Sequence, residues 1–249
     1  MASNLLRVVA EVLESRPTTA LVNGDLARDL GKVGDYVSFL KLLEPLRLCG
    51  IPVHLTLGNH DDRENFVKVI VEDSSNLPAV LEESPIPQKY CGSLERDGVR
   101  WLLLDSLDKV NVTPGWLGPW QLEWVQRELD RKLAQPTIVF IHHNVEKGSS
   151  IALRETAELM EILRPRRQVK AVFFGHTHAW KRWVDEGIHM VNLPAIGYAF
   201  AKGEPLGWVR ASPRPAGLEI ELRALSAHPD HGKKIELEWR PTERNLKAF

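Results

Sequence analysis

Leu57-Gly58-Asn59-His60-Asp61-Asp62-Arg63 is the stretch on which this sequence turns. It follows Val53 to Leu57, an apolar run of the kind that forms a buried strand. Between Asn59 and Arg63 stand an amide, an imidazole, two carboxylates and a guanidinium. Ordering that much polarity at the end of a buried strand is costly unless the groups hold something in common. The set suits a metal ion and a phosphate ester.

Three other apolar runs end in the same manner. Thr18–Val22 runs into Gly24-Asp25, Thr137–Ile141 into His142-His143, and Val169–Phe174 into Gly175-His176-Thr177-His178. In open α/β sheets the carboxyl ends of neighbouring strands line one crevice, so these side chains are expected to converge. A carboxylate bridges two ions, imidazoles bind through one nitrogen, and an Asn side chain supplies a neutral oxygen. A Gly-Asp turn or a His-His pair is weak alone. Four such endings in order are hard to assign to packing.

The composition sets the class. The 249 residues are 43% hydrophobic and 26% charged, as in an ordinary globular protein. Lys+Arg number 32 and Asp+Glu 33. That balance gives no general electrostatic footprint for a nucleic-acid polymer or a membrane surface. No apolar run reaches membrane-spanning length. Leu5-Leu6-Arg7-Val8-Val9 reads as amphipathic helix rather than as a signal-peptide core. The two cysteines, Cys49 and Cys91, are expected to be reduced thiols of a cytoplasmic protein.

Leu5, Val8, Val9, Val12 and Leu13 recur at helical spacing, as do Tyr36, Phe39, Leu40, Leu43 and Leu46, and Leu122, Val125, Leu129 and Leu133. Helices are also expected over Arg63–Val71 and Arg154–Leu163, a strand over Val99–Leu104, and loop over Asp73–Gly92. Residues 1–180 thus read as α/β units. Residues 185–240 read as an antiparallel β layer, with strands at His189–Leu193, Gly207–Ala211, Leu218–Leu225 and Ile235–Trp239. One domain over 1–249 is expected.

Gly24-Asp25, Gly58-Asn59-His60-Asp61, His142 and Gly175-His176-Thr177-His178 together resemble the ordered motifs of the calcineurin-like metallophosphoesterases. Gly58 to Arg63, with Leu104-Asp105-Ser106 and Leu117-Gly118…Gln121-Leu122-Glu123-Trp124, is most similar to the branch of class III cyclic-nucleotide phosphodiesterases. The resemblance implies a four-layer α/β/β/α sandwich. It implies Asp25 as a carboxylate bridging two ions, Asn59, His142 and His176 as the remaining ligands of one ion, and His178 as a ligand of the other. The divalent ions would be Mn, Fe, Zn or Co, one or two per chain. His60 would be the catalytic group at the phosphoryl oxygens, and hydrolysis would proceed by attack of a metal-generated hydroxide on phosphorus. The substrate implied is a small phosphoester, a phosphodiester such as a cyclic nucleotide above all. Arg63 and His143 are the candidate substrate contacts. For Arg63 a salt bridge at a helix start is an equal reading, and for His143 a supporting or core position. Tyr198 is a further candidate contact. Trp116, Trp120 and Trp124 read as packing, with a base-stacking platform as the other reading.

Two departures stand out. The family opens with a strand ending in Asp-x-His, which holds the first ion, and residues 1–17 contain neither Asp nor His. Glu11 and Glu14 lie on a helix that should face elsewhere. The first central strand is therefore expected to be missing, through a truncation, a misassigned start codon or natural variation. Its loss would bare a strand edge, which a partner subunit, and hence a homodimer, would cover. Secondly, Arg28 stands where the branch has the acid that orients its catalytic His. Asp29 either takes that role or leaves His60 without a carboxylate. These departures motivate the rival expectation of a catalytically weakened scaffold that binds a protein partner.

Overall fold

The computed structural model describes residues 1–72 and 84–242. In chain order the elements are α1 (Ala2–Ser15), β1 (Ala20–Asn23), α2 (Val33–Leu48), β2 (Val53–Thr56), α3 (Arg63–Phe66), β3 (Gly92–Arg96), β4 (Val99–Leu104), α4 (Pro119–Arg131), β5 (Thr137–Ile141), α5 (Thr156–Leu163), β6 (Val169–Phe174), β7 (Lys181–Asp185), β8 (Ile188–Asn192), β9 (Gly207–Arg214), β10 (Gly217–Ala224) and β11 (Lys234–Glu238). They form three sheets. β1 and β2 pair in parallel, six strands run in the order β3-β4-β5-β6-β8-β7, and β11-β10-β9 are antiparallel.

The unbroken apolar runs of β5 and β6 follow from burial on both faces. Val139, Ile141, Val172 and Phe174 pack against Val125 and Leu129 of α4 and Leu159 and Leu163 of α5. Ile138, Phe140, Ala171 and Phe173 face Leu218, Ile220 and Leu222 of β10. On the far side Val8, Val9 and Val12 of α1 and Tyr36, Phe39 and Leu43 of α2 close over Leu55, Trp208 and Leu225. The layers are therefore α/β/β/α, as the resemblance implied.

Three local expectations are corrected. Ile188–Asn192 pairs in parallel with β6, so this segment of the expected antiparallel layer belongs to the large sheet. The edge strands β3 and β7 were not expected. Each is polar and antiparallel to its neighbour, which suits a half-exposed edge. The helix expected over Arg63–Val71 is one α turn followed by a π turn at Val67–Val71. The Asp73–Gly92 loop lies largely outside the described residues.

β1 pairs with β2 along one edge only, and no strand among the described residues pairs with the other. The end of β1 is tied instead to β5, where Asn23 Nδ2 donates to Ile141 O at 3.0 Å. No described helix is long and apolar enough to cross a membrane.

The cysteines sit in opposite surroundings. Cys49 is exposed at the end of α2, and Cys91 is fully buried beside β3. Burial pushes the Cys91 thiol up to about 11. Titration of the native protein with a thiol reagent at pH 8 should therefore modify Cys49 alone, and denaturant should expose Cys91. Two rapid equivalents in the native state would contradict this placement.

Candidate metal centre

The backbone turns sharply at the end of β1. Gly24 has φ +66° and Asp25 φ +50°. The left-handed conformation at Asp25 is strained for a side chain with a Cβ, and such strain persists where surrounding contacts hold it. His60 N–H donates to Asp25 Oδ1 at 3.0 Å, which locks the carboxylate from the loop after β2. Gly58 lets that loop approach, since a Cβ there would collide with the Asp25 carboxylate. A Cβ on Gly24 would lie 2.5 Å from His142 Nδ1.

His142 ends β5 almost fully buried. Its Nδ1 lies 2.8 Å from Asn23 O. A carbonyl only accepts, so Nδ1 carries the hydrogen and Nε2 of the neutral ring is a bare lone pair. That Nε2 has no hydrogen-bond donor, and it faces Asp25 Oδ2 at 3.4 Å. Two lone pairs meet where the imidazole is buried and the carboxylate partly so, an arrangement that a cation or a proton relieves. Burial opposes a charge on either group. Each outweighs that penalty for the other, so Asp25 is held well below the usual carboxylate range and the His142 pKa is raised.

His176 completes the group. One donor atom each from Asp25, His142 and His176 lie within 4.8 Å of one another. Burial and then the neighbouring His142 push His176 down to about 4, so it stands as a neutral ligand near pH 7. The Asn59 side-chain oxygen is buried with no donor, as suits the fourth ligand. These orphaned acceptors and the mixed nitrogen and oxygen set fit a borderline divalent ion. Among the described residues this is the one group of three such side chains that could hold a metal ion.

The other expected site residues fall around it. His178, expected at a second ion, lies outside this group of three. Its backbone is left-handed (φ +52°), and its ring stacks on Phe200 with centroids 4.1 Å apart. His60 Nδ1 donates to Asp29 O at 3.0 Å, while the Asp29 carboxylate stands 4.0 Å away. Asp29 thus orients His60 chiefly through its main chain.

The geometry favours the alternative, supporting reading of both candidate substrate contacts. Arg63 is committed to Asp105, with Nε 2.7 Å and Nη2 3.1 Å from its carboxylate, and also donates to Leu107 O. His143 is fully buried, its Nδ1 2.8 Å from Ser106 Oγ, and its ring packs 4.8 Å from that of His176. It supports the site from behind. Trp124 is core, Trp116 lies under Lys89, and Trp120 is exposed.

Sequence reasoning left four structural roles unread. Asp61, fully buried, accepts from the N–H groups of Gly58, Leu26 and Ala27 and lies 3.3 Å from the Tyr36 hydroxyl, tying the two ligand loops together. Burial, with Asp25 nearby, pushes Asp61 up to about 6 despite those donors. Asn23 fixes the His142 tautomer. Asn192, buried at the end of β8, accepts from Thr177 Oγ1 at 2.8 Å and donates to Ala179 O, pinning the histidine turn. Gln121 brackets the Asp105 backbone. The signal for Asn192 is its place at a strand's carboxyl end, the same rule that found the ligands.

A family model described as calcineurin-like phosphoesterase matches residues 2–180. A 3',5'-cyclic adenosine monophosphate phosphodiesterase of Pseudomonas aeruginosa is 30% identical over 209 residues, covering 81% of this chain and 70% of that protein. A probable cyclic nucleotide phosphodiesterase of Synechococcus is 25% identical over 242 residues, covering 95% and 82%. Among solved structures, a dimetal phosphatase of Danio rerio shares the fold with TM-score 0.73 at 15% identity, over 96% of this chain and 89% of that one.

A cation at His142 Nε2 competes with a proton there. Metal binding should release a proton, and affinity should rise with pH until His142 is deprotonated. Calorimetry with Zn²⁺ between pH 5.5 and 7.5 reads this directly. Gly58→Ala should weaken binding by about tenfold or more, because it displaces the Asp25 carboxylate. A pH-independent affinity, or wild-type affinity in the variant, would contradict the assignment.

Proposed function

Because the chain belongs to the calcineurin-like phosphoesterase family, we propose that it is a metal-dependent phosphodiesterase of small diesters, 3',5'-cyclic nucleotides first among them. The facing acceptors of Asp25 and His142, closed by His176, carry this reading. Two relatives named for cyclic-nucleotide hydrolysis support the substrate class.

Asp25, Asn59, His142 and His176 would hold the ion, with manganese, iron, zinc or cobalt compatible with the donor set. A bound divalent ion supplies a water of lowered pKa and positive charge at the phosphoryl oxygens. The chain's own residues set the geometry. Asn23 O holds the His142 ring, and the His60 N–H holds the Asp25 carboxylate. His60, fixed at Nδ1 by Asp29 O, presents Nε2. Protonated there, it donates to the leaving oxygen as the P–O bond breaks.

Assays of bis-p-nitrophenyl phosphate and 3',5'-cyclic AMP with added Mn²⁺, Fe²⁺, Zn²⁺ or Co²⁺ test the proposal. We expect turnover, its loss in His142→Ala, and a fall in kcat of roughly 10²- to 10⁴-fold in His60→Ala. Folded protein that turns over neither substrate with any of the four metals would contradict it and favour a binding scaffold.

A further inference from the structure

The segment 193–206 between β8 and β9 is braced on several sides. Leu193 N–H donates to Phe174 O at 2.7 Å, at the end of the strand that carries His176. Asn4 Nδ2 of α1 donates to Ile196 O at 2.9 Å, and Gly207 N–H to Ala195 O at 2.9 Å. The Glu204 carboxylate accepts from Trp180 N–H at 2.8 Å, two residues beyond His178. A segment held this firmly nonetheless leaves two large aromatics in solvent, with Tyr198 47% and Phe200 66% exposed.

Both rings gather on His178, two residues beyond His176 of the candidate metal centre. The His178 ring lies parallel to Phe200, with centroids 4.1 Å apart and planes at 12°. Tyr198 meets His178 edge-on at 4.6 Å and Phe200 at 5.4 Å and 84°. One face of Phe200 is thus covered by an imidazole and the other is open, with a phenol as a side wall. A flat open face of this kind recognises another flat ring, and every nucleobase has one.

We propose that Phe200, walled by Tyr198, is the stacking platform for the base of a nucleotide whose phosphate sits at Asp25, His142 and His176. This inference rests on the phosphodiesterase reading and names the part of the substrate that reading leaves open. An aliphatic phosphodiester gains nothing from such a platform, so the site would select nucleotides over other diesters.

Calorimetry on the Mn²⁺-loaded protein tests it, with AMP and ribose 5-phosphate as probes that share a phosphate and differ by the base. Wild type should bind AMP about tenfold or more tighter, the scale of one base–aromatic stack. Phe200→Leu keeps an apolar cover on His178 but has no π face. It should remove most of that preference and leave ribose 5-phosphate unchanged, while Phe200→Trp should retain it. In turnover, Phe200→Leu should raise KM for cyclic AMP, with little change in kcat and none in either constant for glycerophosphoglycerol, a diester with neither a base nor a cationic headgroup. Equal wild-type affinity for the two probes overturns the platform. So does a Phe200→Leu variant that loses both probes alike, or neither. Base-dependent binding without cyclic-nucleotide turnover would uphold the platform and refute the proposed reaction. Cyclic-nucleotide turnover indifferent to Phe200→Leu would do the reverse.

Discussion

The structure depends on an unfavourable meeting. Asp25 Oδ2 and the Nε2 lone pair of His142 face each other at 3.4 Å, the imidazole buried and the carboxylate partly so. Neither atom donates, so the pair is a cost to folding until a positive charge lies between them. Much of the architecture around it acts to hold the two atoms there. Asn23 O takes the only hydrogen of the neutral His142 ring, and Asn23 Nδ2 fastens β1 to β5. The Asp61 carboxylate gathers three N–H groups from two loops and so fixes the distance between Asp25 and the segment carrying Asn59 and His60. Left-handed backbone at Asp25 and His176 stores further strain at the same point.

Behind that meeting lies a second, stiffer layer. Arg63 bonds the Asp105 carboxylate, Gln121 bonds the Asp105 backbone, and Ser106 bonds to His143. These are the residues by which the sequence resembles the cyclic-nucleotide branch. Through Ser106 they reach His143, whose ring packs on that of His176, so a branch motif can act on the support of a site.

The layers and the three-residue cluster were legible because they follow from rules that repeat. A strand buried on both faces reads as an apolar run, and its carboxyl end reads as a break to Gly, Asp or His. Asp25, His142 and His176 were found that way. His178, expected at a second ion, stands outside that cluster, on backbone that turns left-handed at both His176 and His178, with its ring on Phe200. Arg63 and His143 have the chemistry of substrate contacts, and only the fold shows that Asp105 and Ser106 already occupy them. The edge strands β3 and β7 escaped notice since a polar strand at a sheet margin has no alternation to read. β8 was assigned to the wrong sheet because strand direction follows from pairing, which composition does not carry.

Placement of the cation is the most direct test of this account. Anomalous diffraction from crystals grown with Mn²⁺ or Zn²⁺ should show an ion about 2.0–2.2 Å from an Asp25 carboxylate oxygen, His142 Nε2, a His176 nitrogen and Asn59 Oδ1. The His142–Asn23 hydrogen bond should remain unchanged. An ion bound elsewhere, or a metal-saturated crystal in which His142 Nε2 still faces Asp25 with nothing between them, would contradict it.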